Sequence, residues 1–529
     1  MISGSYSAFT AEMRAAALSP SPADLPLLER MWAENLERRT QLRNLEITDW
    51  SDDVEATIPR SPDQNLFRAS GAQLHRTDVD PDGDLTALTI AELGSGIASR
   101  RISVTQVVRA YLHRIEDCED RVRSYLHLCA DDALSQAEAL DAELAAGRSR
   151  GPLHGVPIAV KDMIAVKGLP LTCGSRAHVN RIASEDAAVV RSLRRNGAIV
   201  LGKNSQFEFG FGPMLTSGRF ATGLNPLDPR RITAGSSSGS AAGVAARLCA
   251  GAIGTDTAGS VRLPATHCGV VGFKPTTGAL ATEGVVPMCW SLDCIGPLAR
   301  NVGDARLLAA GMLGELTAGG TASPVDLKGL RIGFLEEDFA GSDRISGPMR
   351  QCFEAARDWV EAEGAVSASL AVPYVDESQA VYVNYLAETF AAHGHLLSTD
   401  PDALEQQTRL QLSLAGMVSA EDYLRARVVR RRIQKQLAEV FDRYDILILP
   451  AQGGTAPLIA DQGGGTVSFP RSHFTRYWNL AGTPAISQVC ATAPDGLPLS
   501  LQFVAAPHDD RRLLDFAETF EAGFGGVGH

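Results

Sequence analysis

Apolar positions change their period several times along this chain, and the changes divide it. Between Leu25 and Leu45 the apolar residues Leu28, Met31, Trp32, Leu36 and Leu42 recur at helical spacing with charges of both signs between them. This predicts an amphipathic helix behind the proline-broken segment SPSPADLP. From Asp49 to Asp84 the periodicity disappears and Asp, Pro and Arg dominate, which predicts a loose or wrapped linker. From Leu85 regular patterning returns. Thr89–Glu92 and Ser103–Gln106 both fit the capping box that opens a helix, and the Ala-rich residues 130–147 predict another helix. Short apolar runs bounded by glycine, proline or charge predict strands at residues 155–161, 198–201, 252–255, 330–334 and 445–450. Helical patterns fall between and around them at 186–195, 240–248, 347–363 and 403–441. Strands alternating with helices place the chain in the α/β class, with a helical extension and linker over 1–84 and the main body over 85–529.

Composition narrows the partners. The chain is 45% hydrophobic, enough for a large core, and its net charge of -13 disfavours nucleic acid and anionic membrane surfaces. The least polar stretch, Ala241–Ala252, is too short to span a bilayer and is interrupted by Arg247. The first residues lack the basic and apolar regions of a secretory leader. Nine scattered cysteines, with no C-x-x-C pair, read as reduced thiols of a cytoplasmic protein rather than a disulfide frame or a zinc site. The expectation is a small-molecule substrate, no cofactor and no metal. The helix at 25–45 is expected to pack on the main body or against a second copy of the chain in a homodimer.

Chemistry concentrates between Arg231 and Pro275, where two small-residue turns, Gly235–Gly239 and Thr257–Ser260, could aim backbone N–H groups at a ligand. The second turn ends in a serine, whose neighbouring N–H groups could hold an oxyanion. None of the 11 histidines lies in a recognisable triad context, so a desolvated lysine is the alternative base, and Lys161 at the end of an apolar strand is the best placed. Two lookalikes are set aside. Gly235–Gly239 satisfies G-x-S-x-G around Ser237, but no apolar strand precedes it. Gly197–Asn204 resembles a phosphate loop, but its interior is itself a strand.

Taken together, GVPIAVKD with Lys161, AGSSSGSAAGVAA, GTDTAGSVRLPA, CGVVGFKPTTG, SLDCIGPLARNVGDA, NLAGTPAIS and DGLPLSLQFV resemble the amidase signature family over roughly residues 85–520. The resemblance implies a large mixed, twisted β-sheet covered by helices on both faces. It implies that Ser260 is the nucleophile, that Ser236 follows a non-proline cis peptide and relays the proton, and that neutral Lys161 accepts it. The N–H groups of Thr257, Ala258, Gly259 and Ser260 would form the oxyanion hole, with Ala258 where the family often has glycine. Asp256 and Arg262 would brace the turn as an ion pair, and Ser237 would support it by hydrogen bonding. Residues 206–220, with Phe207, Phe209, Phe211 and Met214, and the aromatics Tyr477 and Trp478 sit where family members line their pockets. This implies an apolar or aromatic acyl group.

The leading expectation is an amidase that hydrolyses a small amide, anilide, carbamate or urea. The alternatives are the amidase-like component of a tRNA-dependent amidotransferase, which the long extension disfavours, an allophanate hydrolase, and a binding protein that kept the fold. Intact Lys161, Ser236 and Ser260 speak against the last.

Overall fold

The computed structural model describes residues 2–45, 66–67, 79–314, 324–340, 344–462 and 469–525. Eleven strands among them form one sheet: β1 (Tyr125–Leu128), β2 (Pro157–Lys161), β3 (Ile199–Asn204), β4 (Gly251–Asp256), β5 (Val271–Lys274), β6 (Cys294–Ala299), β7 (Arg331–Phe334), β8 (Val366–Ser369), β9 (Ile446–Pro450), β10 (Ala485–Thr492) and β11 (Pro498–Val504). Their spatial order is β1-β3-β2-β4-β6-β5-β10-β11-β9-β7-β8. Strands β2, β3 and β4 run parallel, as do β7, β8 and β9; antiparallel pairings through β5, β6, β10 and β11 join the two groups. The sheet is therefore mixed and the fold α/β. Strands β2, β3, β4 and β9 are buried along their whole length, which is why they read as continuous apolar runs rather than alternating ones.

Both capping boxes form. Thr89 and Glu92 cap the helix Ile90–Ala98, and Ser103 and Gln106 cap Val104–Val122. The single helix expected over 403–441 is instead two, Gln406–Gly416 and Ala420–Phe441. The break is local chemistry. Ser419 takes an extended conformation, and its hydroxyl accepts from Asp422 N–H at 3.1 Å, capping the second helix.

The expected helix at the N-terminus spans Leu25–Asn44, and a further one, Ile2–Ala15, precedes it. Phe9, Leu28 and Trp32 close over Leu410 and Met417 in a separate apolar cluster, so this apolar face is covered within the chain. Trp32 Nε1 donates to Glu12 Oε2 at 2.8 Å, and Arg43 forms a fork with Asp422, each contact at 2.6 Å. Most of the expected linker lies outside the described residues. Where it is described, Leu66, Phe67 and Val79 are buried in the main core. All nine cysteines are free, Cys289 and Cys294 included. No helix among the described residues is long and apolar enough to cross a membrane.

Replacing Trp32 with alanine removes the largest side chain of the N-terminal cluster, at a cost of about 3–5 kcal/mol. The expected outcome is a lower unfolding temperature and faster proteolytic cleavage within residues 2–45, with the main body still resistant.

Candidate active site

β2 and β4 are parallel neighbours, so their carboxyl ends open on the same edge of the sheet, where ligands gather in α/β folds. Lys161 is the last residue of β2 and fully buried. Its Nζ lies 2.8 Å from Ser236 Oγ and 2.7 Å from Thr255 Oγ1. The Thr255 hydroxyl donates to Met163 Sδ at 3.2 Å, so it receives an N–H from the lysine. The contact with Ser236 Oγ is the second hydrogen bond of the Lys161 amine. Burial draws the Lys161 ammonium down to about 7, against the opposing pull of the Asp293 and Asp256 carboxylates.

Ser236 follows a cis peptide at Gly235–Ser236 and leads into the helix Ser238–Ala245. Ser237 ties the two small-residue turns together. Its Oγ donates to Thr255 O at 3.2 Å, and its N–H donates to Ser260 O at 3.3 Å. No strand precedes this turn and Ser237 is wholly buried, so the G-x-S-x-G lookalike is not a nucleophile elbow. The phosphate-loop lookalike is β3, whose Lys203 is buried in an ion pair with Asp162 at 3.0 Å.

Ser260 is half-buried and, with Ser236, lines a cavity of about 110 Å³. Phe207, Phe211, Leu263, Met288 and Tyr382 give the cavity its apolar wall; no histidine lines it among the described residues.

The turn that carries Ser260 is held from below by a buried network. Asp256 and Arg262 form a fork, with Nη2–Oδ1 at 2.9 Å and Nε–Oδ2 at 3.0 Å, both side chains fully buried. Asn479 donates to Asp256 Oδ1 at 2.9 Å and accepts from Arg262 at 2.7 Å; Gln502 Oε1 accepts from Arg262 at 2.6 Å. Burial alone would raise the Asp256 carboxyl, but Arg262, Lys274 and Asn479 more than offset it and hold it well below the usual carboxylate range. Thr257 Oγ1 donates to Asp293 at 2.5 Å, and Thr475 Oγ1 donates to Ala258 O at 2.6 Å. Gly259 has a φ of +124°, and the place a Cβ would take is filled by Thr475, so only glycine fits.

The expected oxyanion donors differ in what they meet. Gly259 N–H is taken by Asp256 Oδ1 at 2.8 Å, whereas among the described residues the N–H groups of Thr257, Ala258 and Ser260 have no acceptor. The expected pocket aromatics are also sorted. Phe211 lines the cavity and so does Phe207. Phe209 lies behind them, fully buried between the rings of His178 and His393. Met214 packs on Ile232, Ala234 and Leu263. Tyr477 and Trp478 are core residues whose polar atoms go to Pro373 O at 2.7 Å and Phe474 O at 3.1 Å. Burial of a large aromatic against distant elements dictates these placements, and local sequence carries no sign of it. Thr255, Asp293 and Asn479 are not among the residues that the sequence singles out. Each nonetheless lies in a motif run: Thr255 in GTDTAGSVRLPA, Asp293 in SLDCIGPLARNVGDA and Asn479 in NLAGTPAIS.

The family profile described as Amidase matches residues 106–514. A glutamyl-tRNA(Gln) amidotransferase subunit from Desulforudis audaxviator is 35% identical over 478 residues, covering 83% of this chain and 95% of that protein. A crystal structure described as an amidase superposes with a TM-score of 0.76 at 29% identity, covering 83% of this chain and 100% of the other. A fatty acid amide hydrolase shares the fold with a TM-score of 0.75 at 20% identity, covering 94% of this chain and 95% of the other. With its mixed sheet, and with a strand-end lysine beside one of two serines that separate turns bring to one cavity, the chain belongs to the amidase signature family.

Proposed function

We propose that this member of a family acting on C–N bonds is an amidase that works as a single chain on a small amide-type substrate (amide, anilide, carbamate or urea). The observation that carries the reading is a buried Lys161 amine 2.8 Å from Ser236 Oγ. In this mechanism Ser260 Oγ attacks the substrate carbonyl carbon. Its proton passes to Ser236 Oγ while the proton of Ser236 passes to Lys161 Nζ, which becomes an ammonium. The oxyanion is received by the N–H groups of Thr257, Ala258 and Ser260. The proton then returns through Ser236 to the departing nitrogen, which leaves as a neutral amine as the C–N bond breaks. Water repeats the relay to release the acid from Ser260. The apolar wall of Phe207, Phe211, Leu263 and Met288 supports an apolar acyl group.

A second reading is favoured by the named relatives: the amidase-like component of an amidotransferase, releasing ammonia for a partner protein. Turnover of an anilide panel by the purified chain alone separates the two. The single-chain reading requires it, and hydrolysis that appears only with other polypeptides added overturns that reading.

Ser260→Ala is expected to lower kcat/KM about 10⁴–10⁶-fold without changing the unfolding temperature appreciably. Lys161→Ala should cost about 10²–10⁴-fold, the range of a lost proton acceptor. Full activity in either variant would overturn the relay.

The base is Lys161 without its proton, and the amine loses that proton as pH rises through about 7. The pH profile of kcat/KM should therefore climb about tenfold per unit below that value and level off above it. A flat profile between pH 5 and pH 8 would remove Lys161 from the chemistry.

A further inference from the structure

A second cavity, of about 560 Å³, lies beside the catalytic one and is lined by Arg38, Arg344, Asp376, Gln379, His473, Phe474 and Arg476. The two draw on the same elements. Gln379 and Tyr382 are three residues apart on the helix Ser378–His393, a spacing that makes them surface neighbours; Tyr382 faces the catalytic cavity. Ser472 lines the catalytic cavity, and the next two residues line this one. Arg476 lies one turn before Asn479, the residue that clasps Asp256.

Among the described lining residues three guanidiniums face a single carboxylate, Asp376. Arg476 is only 4% exposed. Its Nε donates to Ser378 Oγ at 3.1 Å, but its Nη1 is buried with no acceptor. A buried guanidinium N–H left unpaired is costly, and a bound anion would satisfy it. Burial pulls the Arg476 guanidinium down to about 10; Arg344 and Arg38 add to the pull, and Tyr382 and Asp376 oppose it. Arg344 Nη1 donates to His473 Nε2 at 2.8 Å, which fixes one guanidinium at the rim. Arg38 comes from the N-terminal helix Leu25–Asn44, so that helix supplies part of the wall.

We propose that this cavity is an anion subsite and that the substrate carries a carboxylate as well as the scissile amide, the carboxylate held by Arg476, Arg344 and Arg38. This rests on the reading of the chain as an amidase. The fork geometry of arginine suits a carboxylate, which could take the unused Arg476 N–H together with one from a neighbouring guanidinium.

The test pairs each neutral anilide with a counterpart bearing a carboxylate, on the acyl side in one set (glutaryl against butyryl p-nitroanilide) and on the amine side in the other. The carboxylate member of at least one set should be cleaved with a kcat/KM about 10–100-fold higher, mainly through KM. Arg344→Gln and Arg38→Gln should each remove most of that advantage while leaving the neutral partner within about twofold. Free glutarate should inhibit competitively, and calorimetry should show its binding weakened about tenfold in Arg344→Gln. Equal turnover of charged and neutral partners, equal loss on both in the arginine variants, or noncompetitive modulation by glutarate would each overturn the proposal. Cleavage of neutral anilides with no carboxylate preference sinks the subsite alone. If no anilide of either kind is cleaved, the amidase reading fails, and glutarate calorimetry still decides whether the cavity takes an anion.

Discussion

An amine removed from water at the end of β2 is the constraint to which the rest of the site answers. Lys161 can take a proton from Ser236 only while it is uncharged, and two carboxylates close enough to oppose that state, Asp293 and Asp256, lie in the same interior. Each is tied down. Asp256 directs its charge to the Arg262 fork and to Asn479, and Asp293 receives Thr257 and the N–H groups of Met288 and Cys289. Burial also lifts the Asp293 carboxyl to about 6, so its charge, and with it its hold on the lysine, fades only as pH falls through that value. On the proposed relay, the ion pair below the turn thus shields the base as well as bracing the loop. Removing Arg262 would leave a buried, unpaired carboxylate near an amine that must stay neutral.

Local signals made the residues gathered at the candidate site readable. Lys161 closes an apolar run, and Ser236 and Ser260 sit in turns made of glycine and small residues, so motif and position at the cavity coincide in each case. Strands buried on both faces and the two capping boxes were equally plain, because each is written in consecutive residues. What could not be read depends on contacts between distant segments. Asn479 and Gln502 meet Arg262 across 217 and 240 residues of chain. The fate of Gly259 N–H is settled by the direction of one carboxylate, which no pattern encodes. Tyr477 and Trp478 look the same in sequence whether they face a ligand or the core. The break before Ala420 was legible in principle, since Ser419 followed by acidic residues is a helix start, but the longer apolar period masked it.

The matched family segment begins at residue 106, after both N-terminal helices. Those helices nonetheless reach the neighbourhood of the site. Leu25–Asn44 packs on the helix Gln406–Gly416, and Gln411 of that helix lines both the catalytic cavity and the groove beneath Trp32.

That shared glutamine gives the N-terminus a way to be selected. A segment outside the family's common sequence forms one side of a partition whose other side faces the reacting groups. On the proposed function, a change in the first 45 residues would reach the substrate cavity through Gln411 while leaving Lys161, Ser236 and Ser260 untouched, so substrate range could diversify at a distance from the chemistry it serves.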